Sequence, residues 1–363
     1  MSKTVSVFYN IDRTYVTLVE MKDDVTKVTI SKQDITGDKE IEGTKLQVID
    51  KNGEVVDSWT SEEGKSHEIN GKLIAGETYT LHEEGAPDGY AYASDVTFTV
   101  NKTGATPKVV MKDDVTKVTI SKQDITTEKE IPGAQLQVID DKGVVVEEWT
   151  STETPHQING KLIAGKTYTL HEEGAPDNYA YASDVKFTVD ENGKVTSVEM
   201  KDEATKITVS KTDITSGKEI ADAEIIIYDD KGEVVDSWKS EADKSHDIVG
   251  KLTIGKEYTF HEETAPEGYE VISDIKFSLT KEGKINIIST VTNGEAAPSA
   301  DGKTLIVKDI KSKVISINKT VLGGTPVDNA SFVLSSEDST VNLKSVKVKV
   351  GEDTFTAEAP DYK

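Results

Sequence analysis

The amino-acid sequence predicts an all-β protein made of tandem β-sandwich domains, and three observations support this. A segment of about 90 residues, the size of a small sandwich domain, occurs three times. Equivalent lysines in the three copies, Lys32, Lys122 and Lys211, are 122 − 32 = 90 and 211 − 122 = 89 residues apart. Each copy alternates apolar and polar residues in short runs between turn signals. No segment shows the 3.6-residue period of an amphipathic helix.

Nearly unchanged segments define the repeats. Val25–Asp34 recurs identically as Val115–Asp124 and with changes as Ala204–Asp213. We expect the chain to be a fragment of a longer protein. The predicted domains are residues 24–113, 114–202 and 203–309, with 1–23 as the last strands of an earlier repeat and 310–363 as the start of a further one.

Each repeat is expected to contain about seven strands. Asn52-Gly53 is a hairpin signal between two of them, and Lys142-Gly143 and Lys231-Gly232 lie at the matching places. The third repeat is longer, and its segment Asn293–Gly302 is predicted to be an inserted loop. In the first repeat the predicted strands are Val25–Asp34, Lys45–Asp50, Glu54–Trp59, His67–Ile69, Thr78–Glu84, Val96–Val100 and Lys108–Asp113.

Composition excludes several classes of function. Acidic residues outnumber basic ones by 66 to 42, a formal net charge of −24, which disfavours nucleic acid and anionic membrane surfaces. The chain has no cysteine, so thiol catalysis, disulfides and cysteine-bound metals are excluded. No apolar run is long enough to span a bilayer, and the N-terminus lacks a signal-peptide pattern.

One strand of each repeat is predicted to carry an inward-facing glutamate. Tyr79 and Leu81 lie on the apolar face of the alternating segment Thr78–Glu84, and Glu83 has the same parity. Glu172 and Glu262 occupy the matching positions. A buried carboxylate is costly unless it is paired or protonated, so each glutamate requires a partner.

A lysine and an aspartate in each repeat have the same inward parity. Lys32 follows Val28 and Ile30, while Asp113 follows Val109 and Met111 in the closing strand. The matching residues are Lys122 and Lys211, and Asp202 and Asp309. Each repeat therefore aims a lysine, a glutamate and an aspartate at one core.

Two interpretations of these trios are open from the residues alone. Burial lowers the pKa of an amine and raises that of a carboxyl, which favours a nucleophilic amine and an electrophilic carboxylic acid. A glutamate that carries the proton could then assist condensation to an intramolecular amide. The alternative is a buried ion network with no covalent bond, and parity alone favours it.

The sequence also resembles a known family. Ile30–Asp34, Glu83–Tyr90 and Val109–Asp113 are similar to the Cna protein B-type domain, also called SpaA-like or prealbumin-like, of Gram-positive surface adhesins and pilins. Glutamate followed by Ala-Pro-x-Gly-Tyr is a fairly specific motif, and together with the lysine and the closing aspartate the match is strong. Asn178, where the family has glycine, is a mild departure because asparagine tolerates positive φ.

The resemblance implies an immunoglobulin-like sandwich with a self-formed isopeptide bond in each repeat. The bonds it implies are Lys32–Asp113 assisted by Glu83, Lys122–Asp202 assisted by Glu172, and Lys211–Asp309 assisted by Glu262.

The two ends are interpreted as half-domains. Asp23 is expected to be the electrophile of an earlier repeat and Lys319 the nucleophile of a later one. One interpretation is that both are fragment boundaries. The other is that the N-terminal strands of one molecule complete the C-terminal half-domain of the next.

We therefore predict a stalk of a cell-surface adhesin or pilin-like protein on a Gram-positive cell wall, rigidified by the isopeptide bonds. The alternative is an adhesin whose domains bind host protein or glycan directly; an enzyme, beyond single-turnover bond formation, ranks third. No cofactor or metal is expected, because His82, His171 and His261 have outward parity and no ligand spacing. We expect a monomer without nucleic-acid or membrane partners, whose contacts with host protein or glycan lie outside this fragment.

Overall fold

The computed structural model describes residues 25–102, 107–312, 345–350 and 353–358, which form β-strands and turns without any α-helix. The chain divides into two compact units between Ile310 and Lys311. The first unit contains three β-sandwich domains in sequence order. The second contributes one antiparallel hairpin to the described residues, β24 (Ser345–Val350) and β25 (Asp353–Glu358). None of the described segments is a helix long and apolar enough to cross a bilayer.

The first domain is a sandwich of a three-stranded and a four-stranded sheet. Its strands are β1 (Lys27–Asp34), β2 (Lys45–Ile49), β3 (Val55–Thr60), β4 (His67–Asn70), β5 (Thr78–Gly85), β6 (Val96–Thr99) and β7 (Lys108–Asp113). The smaller sheet has the order β4-β1-β7 and the larger one β3-β2-β5-β6. β1 and β7 are parallel, so the first and last strands of the domain are neighbours.

The second domain repeats this topology, with sheet orders β11-β8-β14 and β10-β9-β12-β13. Its strands are β8 (Lys117–Asp124), β9 (Gln135–Ile139), β10 (Val145–Thr150), β11 (His156–Asn159), β12 (Thr167–Gly174), β13 (Val185–Thr188) and β14 (Thr196–Asp202). The third domain has nine strands in the orders β18-β15-β23-β22 and β17-β16-β19-β20-β21. They are β15 (Lys206–Asp213), β16 (Glu224–Asp229), β17 (Val234–Lys239), β18 (His246–Val249), β19 (Glu257–Thr264), β20 (Ile275–Leu279), β21 (Ile285–Ile287), β22 (Gly294–Pro298) and β23 (Thr304–Asp309).

Alternation of apolar and polar residues explains why these segments form half-buried strands. In β5, Tyr79, Leu81 and Glu83 are buried, while the residues between them are more exposed. The predicted strands of the first repeat are confirmed to within two residues at each end. The predicted hairpin turns also form, with positive φ at Gly53, Gly143 and Gly232.

The predicted inserted loop at Asn293–Gly302 is wrong. Residues Gly294–Pro298 form β22, which pairs antiparallel with β23 and adds a fourth strand to that sheet. The segment Gly-Glu-Ala-Ala-Pro has low strand propensity, so its extended conformation comes from hydrogen bonding to the edge of β23 rather than from local preference. The turn lies after it, where Gly302 has φ +75°.

Consecutive domains follow each other with almost no linker. Three residues separate Asp113 at the end of β7 from Lys117 at the start of β8. One of them, Thr116, is 1% exposed, and its amide donates a 2.9 Å hydrogen bond to Gly89 O in the first domain. At the second junction the Thr205 amide donates to Asn178 O, also at 2.9 Å.

Candidate site for an intramolecular cross-link

Parallel pairing of β1 and β7 brings the predicted lysine and aspartate together. Lys32 lies opposite Met111 in the register, so Asp113, two residues further along β7, faces the same core. Both side chains are buried, with Lys32 2% and Asp113 1% exposed. Lys32 Nζ is in direct ion-pair contact with Asp113 Oδ1. The two residues are 81 positions apart in sequence, so the contact joins the two ends of the domain.

The predicted glutamate reaches the same point from the opposite sheet. Glu83 lies on β5 of the larger sheet, and its Oε2 is 3.1 Å from Lys32 Nζ. The same oxygen accepts a 2.6 Å hydrogen bond from the Ala93 amide, in the segment between β5 and β6. The trio therefore spans the core, with the amine held between two carboxyl groups.

The other two domains bring the same three side chains together, with the lysine against the other glutamate oxygen, Oε1. Lys122 Nζ is 2.7 Å from Glu172 Oε1 and contacts Asp202 Oδ1. Lys211 Nζ is 2.9 Å from Glu262 Oε1 and contacts Asp309 Oδ1. The structure therefore brings together all nine residues predicted within the three repeats, in three separate cores. Asp23 and Lys319 lie outside the described residues.

A second glutamate, which the sequence analysis missed, fixes the lysine backbone. Glu40 Oε2 accepts a 2.8 Å hydrogen bond from the Lys32 amide, and Ile41 N donates to Lys32 O at 2.8 Å. Glu130 and Glu219 make the same contact with the amides of Lys122 and Lys211, at 3.0 and 2.8 Å. The signal was the Lys-Glu-Ile triplet that recurs after each lysine, at residues 39–41, 129–131 and 218–220.

Burial sets the protonation of each aspartate. It raises the pKa of Asp113 to about 7; Lys32 opposes the shift, and the Glu83 carboxyl adds to it through its charge and a hydrogen bond. Asp202 and Asp309 behave in the same way, with pKa values also raised to about 7. Each aspartate is therefore partly a neutral carboxylic acid near neutral pH.

Unpaired oxygen atoms in the first core indicate where the proton lies. Asp113 Oδ2 and Glu83 Oε1 are buried, and neither accepts a hydrogen bond from an amide or a hydroxyl among the described residues. Two carboxylates cannot hydrogen-bond to each other, whereas one shared proton supplies a donor to the pair. A protonated Asp113 supplies such a donor, in agreement with the raised pKa of its carboxyl.

Other residues singled out in the sequence have structural contacts. Trp59 stacks on His67, with ring centroids 4.0 Å apart, and the His67 ring lies 2.9 Å from Asp57 Oδ2. Tyr90 donates to Asp34 Oδ2 at 3.1 Å. His82 is partly exposed, as its parity predicted, and contacts Asp95. Across the described parts of the chain, no three His, Asp or Glu side chains are grouped to hold a metal ion.

Comparison with known proteins places these domains in a family. The model of the SpaA prealbumin-like fold domain matches residues 26–115, 116–204 and 205–294. The chain belongs to this family. No curated protein matches the sequence significantly.

Solved structures similar to this SpaA-type chain include one protein of Bacillus anthracis and two pilus proteins of Lactobacillus rhamnosus GG. The Bacillus anthracis TIE protein is 23% identical over 79% of this chain and 51% of that one, with a TM-score of 0.40. The chain thus spans about half the length of that protein. The shaft pilin SpaA of Lactobacillus rhamnosus GG is 14% identical over 49% of this chain and 97% of that one, with a TM-score of 0.24. The pilus adhesin SpaC of the same organism is 13% identical over 79% and 44%, with a TM-score of 0.34.

Proposed function

We propose that this chain is part of a stalk on the outer surface of a Gram-positive cell wall, and that each of its three domains is locked by an isopeptide bond. The observation that carries the proposal is the buried trio in each domain, where a lysine amine contacts an aspartate carboxyl beside a glutamate. The bond would join the first and last strands of a domain, through which a pulling force enters and leaves.

The chemistry needs only the three side chains. Glu83 carboxylate accepts a proton from the Lys32 ammonium, which leaves a neutral amine. The amine attacks Cγ of protonated Asp113; the C–N bond forms, the C–OH bond breaks, and the hydroxyl leaves as water with a second proton from the nitrogen. Glu83 carries protons from nitrogen to the leaving oxygen. The products are one amide, one water and neutral Glu83, so atoms and charge balance.

Preorganisation of the three side chains accounts for the rate of bond formation. Holding the reacting groups in contact gives an effective molarity on the order of 10⁵ M or more. The surrounding backbone fixes both partners, since Glu40 binds the Lys32 amide and the Ile35 amide donates to Asp113 O at 2.8 Å. The trio therefore reacts once, inside its own fold.

Intact mass of the purified chain tests the proposal. We expect a mass lower than the sequence mass by three waters, and peptides joined at Lys32–Asp113, Lys122–Asp202 and Lys211–Asp309 after digestion. A Lys32→Met chain should lose one fewer water than the wild type. A mass equal to that of the sequence would contradict the proposal and leave a buried ion network.

A further inference from the structure

In the first and second domains, the segment that follows the proposed catalytic glutamate also contacts the next domain. This contact links the cross-link site of one domain to the domain that follows it. In the first domain the segment runs from Ala86 to Asp95, between β5 and β6. We call it the positioning loop. Its far end supplies the Ala93 amide that donates to Glu83 Oε2 at 2.6 Å. The conformation of the loop therefore sets the orientation of the glutamate carboxyl.

The same dependence exists in each domain. The Ala182 amide donates to Glu172 Oε2 at 2.7 Å, and the Ile272 amide donates to Glu262 Oε2 at 2.8 Å. In all three cases the donor lies ten residues after the glutamate. The loop backbone fixes the position and direction of this amide N–H. If the loop moves, the hydrogen bond to the glutamate carboxyl is lost or bent.

The middle of the positioning loop is held by the following domain. Gly89 O accepts hydrogen bonds from the Thr116 amide at 2.9 Å and from Thr116 Oγ1 at 3.3 Å. The Tyr92 amide donates to Glu191 O, in the turn between β13 and β14, at 2.8 Å. Tyr92 immediately precedes Ala93, so the second domain restrains the loop next to the amide that donates to Glu83.

Close backbone packing makes this contact specific. Gly89 has φ +84°, and a Cβ added there would lie 2.3 Å from Gly160 O of the second domain. The second junction keeps the equivalent backbone contact and adds one through the Asn178 side chain. The Thr205 amide donates to Asn178 O at 2.9 Å, and Thr253 Oγ1 donates to Asn178 Oδ1 at 3.2 Å.

We propose that each following domain acts as a positioning element for bond formation in the domain before it, with Thr116 and Thr205 as the positioning residues. Docking of the second domain fixes the first positioning loop, and that loop fixes the carboxyl of Glu83 against Lys32. The inference rests on the proposed isopeptide function. It predicts that the bond in one domain forms at full rate only after the next domain has folded against it.

Two glycines provide a matched pair of variants in the full chain. Gly89 and Gly268 are at equivalent positions and both have φ +84°, so replacement by alanine imposes similar backbone strain. The Cβ in Gly89→Ala meets the second domain, whereas in Gly268→Ala it meets nothing within 4 Å among the described residues. Cell-free synthesis, quenched in denaturant at intervals, followed by mass spectrometry of joined peptides gives the rate of each bond.

We expect Gly89→Ala to slow the Lys32–Asp113 bond about tenfold more than Gly268→Ala slows the Lys211–Asp309 bond, because a displacement near 1 Å is costly for a positioned reaction. Equal slowing in the two variants would overturn the inference, but the proposed isopeptide bonds would still stand. Absence of all three bonds from the wild-type chain would overturn the proposed function and this inference with it.

A milder pair of variants covers the case in which Gly89→Ala does not fold. Thr116→Val removes the Oγ1 contacts with Gly89 O and with Leu162 O of its own domain, at 2.6 Å. It should slow the bond of the first domain, while Thr205→Val should slow that of the second. Thr26→Val is the control, because Thr26 Oγ1 contacts Leu73 O within its own domain. If Thr116→Val slowed only the Lys122–Asp202 bond, the threonine would act within its own domain and the inference would be wrong.

Discussion

Replacing Lys32 by methionine should turn the first domain from an inextensible unit into an extensible one. Methionine keeps most of the length and volume of the lysine side chain but has no amine, so the proposed bond cannot form. Without it, the chain from Lys27 to Asp113 is free to extend over 86 residue steps (113 − 27). At the maximum reach of an extended chain this is about 300 Å.

The end-to-end length of the folded domain must be subtracted from this extended length, and it follows from the strand register. Asp34 lies opposite Asp113 in the parallel pair, so the folded span equals that of the strand Lys27–Asp34. At the rise of a β-strand this is about 23 Å. Unfolding of the first domain should therefore add about 280 Å of length. The third domain covers 103 steps from Lys206 to Asp309 (309 − 206), which gives about 340 Å for Lys211→Met.

Single-molecule pulling of the full chain through its two ends measures these lengths. Each variant is expected to show one step that the wild type lacks, about 280 Å for Lys32→Met and about 340 Å for Lys211→Met. Lys27→Met is the control, because Lys27 lies on the same strand with an exposed side chain. Steps of these lengths in the wild type, or no new step in Lys32→Met, would refute the reasoning.

Further predictions concern catalysis, stability and pH. Glu83→Gln should slow formation of the Lys32–Asp113 bond by about 100-fold or more. Glu84→Gln, at an exposed position on the same strand, should leave the rate unchanged. Mass spectrometry of the joined peptides measures both rates, and equal rates would show that Glu83 is not the proton carrier. Lys32→Met should lower the free energy of unfolding of the first domain by about 4–5 kcal/mol, by analogy with a disulfide closing a loop of similar length, and urea titration measures it. The same variant should lose stability as the pH rises from about 4 to about 7, by about 1.4 kcal/mol per pH unit. The sign follows because burial raises the pKa of Asp113 to about 7 even beside Lys32, so the folded state binds the extra proton in that range. Lys32→Met with Asp113→Asn should lack this slope, and identical slopes would contradict a buried acid.

The sequence was sufficient to predict which side chains face each core. Period-2 alternation placed Glu83 with Tyr79 and Leu81, and it placed Lys32 and Asp113 on the inward faces of the first and last strands. This worked because a strand has only two faces, so one buried neighbour fixes the direction of the next residue but one. Repetition of the pattern in three copies made each assignment more certain than a single strand would allow.

Tertiary structure alone decided how the strands meet and what lies beyond them. The parallel register of β1 and β7 places Asp113 within reach of Lys32, and parity cannot give a register between distant strands. β22 forms in a segment of low strand propensity because the edge of β23 supplies its hydrogen bonds. The contact of the positioning loop with Thr116 depends on two domains packing together, which no local pattern within either domain encodes.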